Sequence, residues 1–446
     1  MEEEGMAYRR LLRSIFDAAL AAVAPDGALE RHLRVEGDTL HVDAASFPLA
    51  NRRIYVLGAG KGAAPMAQAV ENMLGDRITG GHVVVKYEHD LPLRHMTLWE
   101  AAHPVPDAAG ERAAAAMLRL AAATKAGDLV LCLLTGGASA LTPAPVADVT
   151  LQDMQAVTML LLGCGASIDE INTLRKHVSR FSGGQLARAL APAEVCSLII
   201  SDVPGDNLEV IASGPTTPDS GTFARCMSII HKYNLFKSLP DCVLQHIQHG
   251  LVGMAAETPK AGDPCFRKVH NVLAATNHQA LEAAAACALH AGYIPHILTD
   301  TLTGEAREQG KNLARRALDM ADMMRPDDAP VCLLAGGETT VTLRGGGKGG
   351  RNQEMALSAA LELQDDPRVA CLFAGTDGTD GPTDAAGGYA LAGSAARLLQ
   401  ACNPYSLLER NDSYTALECA GDLLKTGPTR TNVMDISILL VHPRTV

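Results

Sequence analysis

Apolar residues first recur at helical spacing. Leu11, Leu12, Ile15, Leu20 and Val23 are interleaved with Arg9, Arg10 and Arg13, which predicts a helix over about 6–23. The pattern then changes to short unalternated runs at 54–57, 82–86, 129–134 and 197–201, rich in β-branched residues or leucine. Each runs into a turn bearing Gly, Ser or Asp, as strands buried on both faces of a parallel sheet do. Helical stretches at 65–74, 110–123 and 151–162 separate them, and this alternation predicts a doubly wound α/β layer. A polar, proline-containing stretch at 257–263 reads as a linker. Beyond it, strands are expected at 270–276, 293–299 and 331–335, with helices at 281–288 and 305–320. Two α/β domains, 1–256 and 264–446, with a cleft between them, are therefore expected.

Composition narrows the partners. The 446 residues carry 38 Lys+Arg against 50 Asp+Glu, a formal net charge of −12. That balance argues against nucleic acid, whose binding rests on cationic side chains. With 47% hydrophobic and 20% charged residues the chain suits a globular fold with a large core. The opening residues Glu2, Glu3 and Glu4 are acidic where a signal peptide needs a basic region, and no run of 18 apolar residues occurs, so a cytoplasmic protein without membrane partners is expected. The 11 cysteines show no CxxC or Cys/His ligand spacing and read as reduced thiols. The 41 glycines against 4% aromatics point to positions that need close backbone approach or positive φ.

Those glycines gather in turns that follow strands. Gly58-Ala59-Gly60-Lys61-Gly62 joins a strand to a helix, where free amides and a helix N-terminus suit an anion. Gly58, Gly60 and Ala63 satisfy a loose dinucleotide pattern, but the next strand ends in Lys86 rather than a ribose-holding acid, and Lys61 is typical of a phosphate clamp. A tight turn built only for packing is the plainer reading. Thr135-Gly136-Gly137-Ala138-Ser139 could form a second anion nest or be simply a polar turn. Asp202, in Ser201-Asp202-Val203-Pro204-Gly205-Asp206, sits at a strand's carboxyl end, where α/β enzymes place catalytic groups, although a turn aspartate explains it equally simply. In the second half, 344–351 is a basic glycine-rich loop, read as flexible, between a strand and a helix expected over 353–363. After a strand expected at 369–373, Asp377, Asp380 and Asp384 are spaced loosely like a calcium loop without its closing glutamate, so Mg²⁺ or substrate-hydroxyl binding is the alternative.

Taken in order, these motifs resemble the class II glycerate kinases, the glycerate 2-kinase family whose C-terminal module is called MOFRL. The resemblance runs from Val56-Leu57-Gly58-Ala59-Gly60-Lys61 through Asn172-Thr173-Leu174-Arg175-Lys176, the Asp202 turn, Ser213-Gly214-Pro215-Thr216, Gly349-Gly350-Arg351-Asn352-Gln353-Glu354 and the Asp377 turn. It continues to Asn411-Asp412-Ser413 and Thr431-Asn432-Val433-Met434-Asp435. It implies a Rossmann-like three-layer N-terminal domain with a mostly parallel sheet, a smaller α/β domain, and an active site in the cleft. The implied reaction is ATP-dependent phosphorylation of the 2-hydroxyl of D-glycerate, with Mg²⁺. Lys61, Asp202 and Arg351 match the family's catalytic positions. Gly58, Gly60, Gly62, Thr135, Gly136, Gly137 and Ser139 are the phosphate-binding candidates, Asn172, Arg175 and Lys176 the substrate-binding ones, and Asp377 and Asp380 the metal candidates. Ala138, Ser182 and Arg430 depart from the family pattern, which usually has Gly, Lys and Gly there. A hydroxypyruvate reductase using NAD(P)H is the alternative reading. Partners are then small molecules, with room for a homo-oligomer.

Overall fold

The computed structural model describes residues 2–444, with side chains from residue 5 onward, so those of the opening acidic run lie outside it. In chain order the elements of the first half are α1 (Glu2–Ala22), α2 (Pro25–His32), β1 (Leu33–Glu36), β2 (Thr39–Val42), β3 (Ala45–Pro48), β4 (Ile54–Ala59), α3 (Ala63–Leu74), β5 (Ile78–Lys86), β6 (Thr97–Ala101), α4 (Ala108–Ala123) and β7 (Leu129–Leu134). Then follow α5 (Ala138–Leu141), α6 (Leu151–Gly163), α7 (Ile168–His177), α8 (Gln185–Leu190), β8 (Glu194–Ile200), α9 (Phe223–Lys232), α10 (Asp241–Leu251) and β9 (Val269–Ala275). The remainder comprises α11 (Asn277–His290), β10 (Ile294–Leu302), α12 (Ala306–Met323), β11 (Val331–Gly337), α13 (Arg351–Leu363), β12 (Val369–Gly375), β13 (Gly387–Ala390), α14 (Ser394–Ala401), α15 (Pro404–Glu409), α16 (Ser413–Ala420), β14 (Leu423–Leu424) and β15 (Asp435–Val441).

Helix starts follow local chemistry. Thr150 with Asp153, Ser167 with Glu170, and Thr276 with Gln279 form capping boxes at α6, α7 and α11, and the Asp107 side chain accepts from the Gly110 amide at α4. Each satisfies amides that the first helical turn leaves without a partner.

The chain divides into two compact units. The first unit, Ala28–Ser201 with Asn207–Ala274, holds the small antiparallel sheet β1-β2-β3 and a six-stranded sheet in the order β6-β5-β4-β7-β8-β9. The pairings of β4 with β5 and β7, of β5 with β6 and of β7 with β8 are all parallel. β7 is buried along its whole length, which is why its run shows no polar alternation. A second core in this unit packs α7, α9 and α10 through Leu174, Phe223, Ile230, Val243 and Ile247.

The second unit comprises the chain up to Gly27, Asp202–Asp206 and everything from Ala275. Its six-stranded sheet runs β10-β11-β15-β12-β13-β14. β15 lies between β11 and β12 and is antiparallel to both, so this sheet is mixed. Helices α12 and α13 cover it through Leu313, Ala317, Met355 and Leu357 against Leu333, Phe373 and Leu439.

Two features differ from the expected division at 256/264. The strand that follows the polar stretch, β9, completes the first unit's sheet rather than opening the second domain. Helix α1 belongs with the second unit, where the Thr431 hydroxyl donates to the Val23 carbonyl at 2.8 Å. No helix among the described residues is long and apolar enough to cross a membrane.

Candidate active site

In the first unit, β4 and β7 are parallel neighbours, so their carboxyl ends place the 60–62 and 135–139 turns side by side. The two turns are sewn together. Lys61 N donates to the Gly136 carbonyl at 2.9 Å, Gly62 N to Thr135 Oγ1 at 3.0 Å, and Thr135 N to the Ala59 carbonyl at 3.0 Å. Gly60 N reaches the Val84 carbonyl at 3.1 Å and Ala63 N the Gly60 carbonyl at 3.2 Å. Gly60 has φ +129°, and a Cβ there would overlap Thr135 Oγ1 and lie 2.5 Å from the Thr135 carbonyl oxygen. Glycine at 60 is therefore a packing requirement between two backbones.

These bonds correct one expectation. The 58–62 turn is expected to offer free amides to an anion, yet the amides of residues 60, 61 and 62, and that of Ala63 after them, all donate within the protein. By contrast, the amides of Gly136 and Gly137 have no acceptor among the described residues. Lys61 and His103 flank that second turn: from the Cβ position of Gly137, Lys61 Cγ is 3.5 Å away and His103 Cδ2 3.0 Å. His89 Nδ1 lies 3.4 Å from the Lys61 carbonyl oxygen.

The expected substrate residues separate. From one helix, α7, Arg175 and Lys176 turn to different partners. Arg175 Nη2 donates to Ser139 Oγ at 2.6 Å. Lys176 Nζ donates to Asp219 Oδ1 at 3.1 Å in a buried ion pair, which holds the Asp219 pKa down despite its burial. Asn172 is buried and lines a polar cavity with Lys176, Asp219 and Asn207. Desolvation pushes the Arg175 pKa down.

In the second unit, Arg351 opens α13 and is gripped by Asp435 at the start of β15. Nε donates to Oδ2 at 2.5 Å and Nη2 to Oδ1 at 3.0 Å, while Nη1 lies 2.7 Å from Glu338 Oε1. The carboxylates raise the Arg351 pKa further, so it stays charged. Burial raises the Asp435 pKa, outweighing the pull of Arg351. Asp380 is buried, and its carboxylate accepts from Asn352 N at 3.2 Å and Gln353 N at 2.8 Å, the first amides of α13. Burial, with Asp435 nearby, pushes the Asp380 pKa up to about 6. Asp377 Oδ1 accepts from Thr379 N and Oγ1, both at 3.1 Å. Among the described residues, no group of three or more His, Cys, Asp or Glu is placed to hold a metal.

The glycine-rich loop before α13 is not flexible in the way its composition suggests. Arg344 N and Gly345 N donate to Asn411 Oδ1 at 2.6 and 3.1 Å, Gly347 N donates to the Arg410 carbonyl at 3.0 Å, and Tyr414 N donates to the Lys348 carbonyl at 2.9 Å. A Cβ on Gly345 would lie 2.7 Å from the Arg410 carbonyl oxygen, and one on Gly347 2.5 Å from Asp412 Cβ. The loop's glycines let it lie flat on Asn411-Asp412-Ser413. Arg430, where the family usually has glycine, has φ +63°, a conformation glycine adopts at lower cost. The sequence assigns no role to Glu338, Asp435, His103 or Ser213, although the motifs that contain Ser213 and Asp435 are visible in it. Asp202 is half-buried and lies in the second unit.

The lysine beside unsatisfied glycine amides in the first unit and the carboxylate-bound arginine in the second are each, within their own unit, groups suited to small anions. Residues 11–248 match a domain of unknown function, DUF4147, and residues 331–435 match the MOFRL family. The chain is 40% identical over 438 residues to a glycerate 2-kinase from Pyrococcus horikoshii, covering 98% of each. It is 42% identical to an Agrobacterium vitis protein provisionally named a hydroxypyruvate reductase, covering 97% of this chain and 94% of that one. A crystal structure of glycerate kinase from Thermotoga maritima superposes with a TM-score of 0.86 at 38% identity, covering 98% of this chain and 100% of that one. The chain belongs to the glycerate 2-kinase family with a MOFRL module.

Proposed function

We propose that the chain transfers the γ-phosphoryl group of ATP to the 2-hydroxyl of D-glycerate, giving 2-phosphoglycerate and ADP. Family membership supports the reaction. The observation that carries it here is the placement of Lys61 against the Gly136-Gly137 turn, whose two amides have no acceptor among the described residues. Phosphoryl transfer needs positioning and charge neutralisation more than covalent chemistry, and two amide donors with an ammonium supply both.

Each unit contributes its own groups to this reading. In the first, the Gly136 and Gly137 amides and Lys61 hold phosphate oxygens, while Gly58, Gly60, Gly62 and Thr135 shape the turn that sets Lys61. In the second, Arg351 is oriented by Asp435 and Glu338 and balances developing charge, and Asp202 takes the hydroxyl proton. Lys176, paired with Asp219, and Asn172 brace the substrate side from behind.

Mg²⁺ suits a donor set of this kind, because that ion keeps several waters and binds through one or two carboxylates plus substrate phosphates. Asp377 is the carboxylate that would hold it, and the ion would neutralise phosphate charge. Asp380 is the weaker candidate, since both its oxygens serve α13.

The reductase reading loses its footing in the same geometry. A dinucleotide pyrophosphate needs the amides at the start of α3, and those of residues 60–63 are occupied. β5 also ends in Lys86, not in a ribose-binding acid. An ADP-release assay with glycerate and ATP, run beside NAD(P)H oxidation with hydroxypyruvate, separates the two. ADP release dependent on glycerate is expected; NAD(P)H oxidation without it would overturn the proposal.

A further inference from the structure

Resting on that reading, we propose that Arg175, Ser139 and Ser213 form the subsite that takes the carboxylate of the acceptor acid. Motif order alone split these residues: Ser139 went to the nucleotide, Arg175 to the substrate, and Ser213 had no role. The structure joins them. Arg175 Nη2 donates to Ser139 Oγ at 2.6 Å, and Ser213 Oγ donates to the same oxygen at 3.0 Å.

A hydroxyl has two lone pairs and one proton. Both lone pairs of Ser139 are filled by these donors, so its own O–H is committed to donating outward, beside the guanidinium. Ser213 is buried and Arg175 partly so. Among the described residues no carboxylate pairs with Arg175, whereas its neighbour Lys176 is neutralised by Asp219. A guanidinium withdrawn from water without a counter-charge is costly, and burial lowers its pKa accordingly. An anion that accepts from Arg175 and Ser139 together removes that cost.

Position decides which anion. Ser139 lies three residues along the chain from Gly136, so the two are within about 11 Å even if extended. One short turn therefore carries amides and Lys61 at one end and the Arg175 guanidinium at the other. A 2-hydroxy acid has its reacting oxygen one carbon from its carboxylate, which calls for a carboxylate subsite next to a phosphoryl subsite. A planar guanidinium matches a carboxylate's two oxygens.

The test measures KM for D-glycerate and for ATP in the full-length protein and in Arg175→Gln, Arg175→Lys and Ser213→Ala, with circular dichroism confirming the fold. Arg175→Gln is expected to raise KM for glycerate by ten- to a hundredfold with KM for ATP within twofold. Arg175→Lys should recover part of that loss, and Ser213→Ala should raise KM for glycerate two- to fivefold. An unchanged KM for glycerate, or a rise confined to ATP, overturns the subsite while leaving the proposed reaction standing. If the wild type turns over no glycerate, the proposed reaction fails instead, and calorimetry decides the subsite. Glycerate binding that Arg175→Gln abolishes upholds it; absent glycerate binding, or phosphate alone binding through Arg175, overturns it.

Discussion

Replacing Gly60 with alanine tests the interlocked turns most sharply. At φ +129° a side chain is strained by about 1–3 kcal/mol wherever it points. The new Cβ would also lie 2.5 Å from the Thr135 carbonyl oxygen, where carbon–oxygen contacts settle near 3.3 Å, so the 135–137 turn must retreat by roughly 0.8 Å. That retreat stretches the Gly62 N to Thr135 Oγ1 bond, worth about 1 kcal/mol. Together the loss is about 2–4 kcal/mol, which in a unit of this size lowers the melting temperature by roughly 4–16 °C. Misplacing a catalytic group by about 1 Å costs on the order of a hundredfold in rate. Thermal unfolding and steady-state kinetics provide the readouts, with Gly75→Ala as the control that carries positive-φ strain without overlap, since Gly75 has φ +52° and nothing lies within 4 Å of its Cβ position. Adding Thr135→Ala to Gly60→Ala should rescue little, since the carbonyl oxygen remains. A Gly60→Ala protein that melts within 2 °C of wild type and keeps kcat within twofold would refute the packing argument.

Other consequences are equally direct. Asp435→Asn removes the charge that grips Arg351 through two hydrogen bonds, and kcat is expected to fall ten- to a hundredfold with a stability loss of about 1–3 kcal/mol; unchanged kcat would show that Arg351 needs no such orientation. Asn411→Ala strips the acceptor from the Arg344 and Gly345 amides and the donor from buried Glu354, so denaturant unfolding should show a loss of about 2–4 kcal/mol, and a loss below 0.5 kcal/mol would contradict the pinned loop. Asp380, with its pKa raised from 3.8 to about 6, holds its proton in the folded state to higher pH than in the unfolded one. Its contribution to stability is therefore fully present below pH 4 and is lost as pH rises through 6, by about 3 kcal/mol. In metal-free buffer, the stability of wild type relative to Asp380→Asn should fall across that window, and parallel curves would contradict the assignment.

The parts of the fold that depend on burial were legible. Strands β4, β7, β8, β11 and β12 lie where unalternated apolar runs predict them, because a strand covered on both faces has no reason to alternate. Position within a sheet was not. β9 follows a Pro- and Gly-bearing stretch that marks a loop, but loop chemistry does not say which sheet the next strand joins. β15 is a buried run like the others, yet its central, antiparallel place depends on partners far away in sequence. The glycines show the same limit: Gly60 and Gly136 look alike as letters, although one avoids a clash and the other exposes an amide. Arg351 was visible as a motif residue, but Asp435, which orients it, is 84 positions away and becomes a partner only through the register that sets β15 beside β11.

The central claim is the transfer of a phosphoryl group to the 2-position, and the product itself reports it. Incubation with ATP, Mg²⁺ and D-glycerate followed by phosphorus and proton NMR should show phosphate coupled to the single proton on C2, and Lys61→Ala should reduce its formation at least a hundredfold. Phosphate coupled to the two protons on C3, or product formed undiminished by Lys61→Ala, would contradict the account.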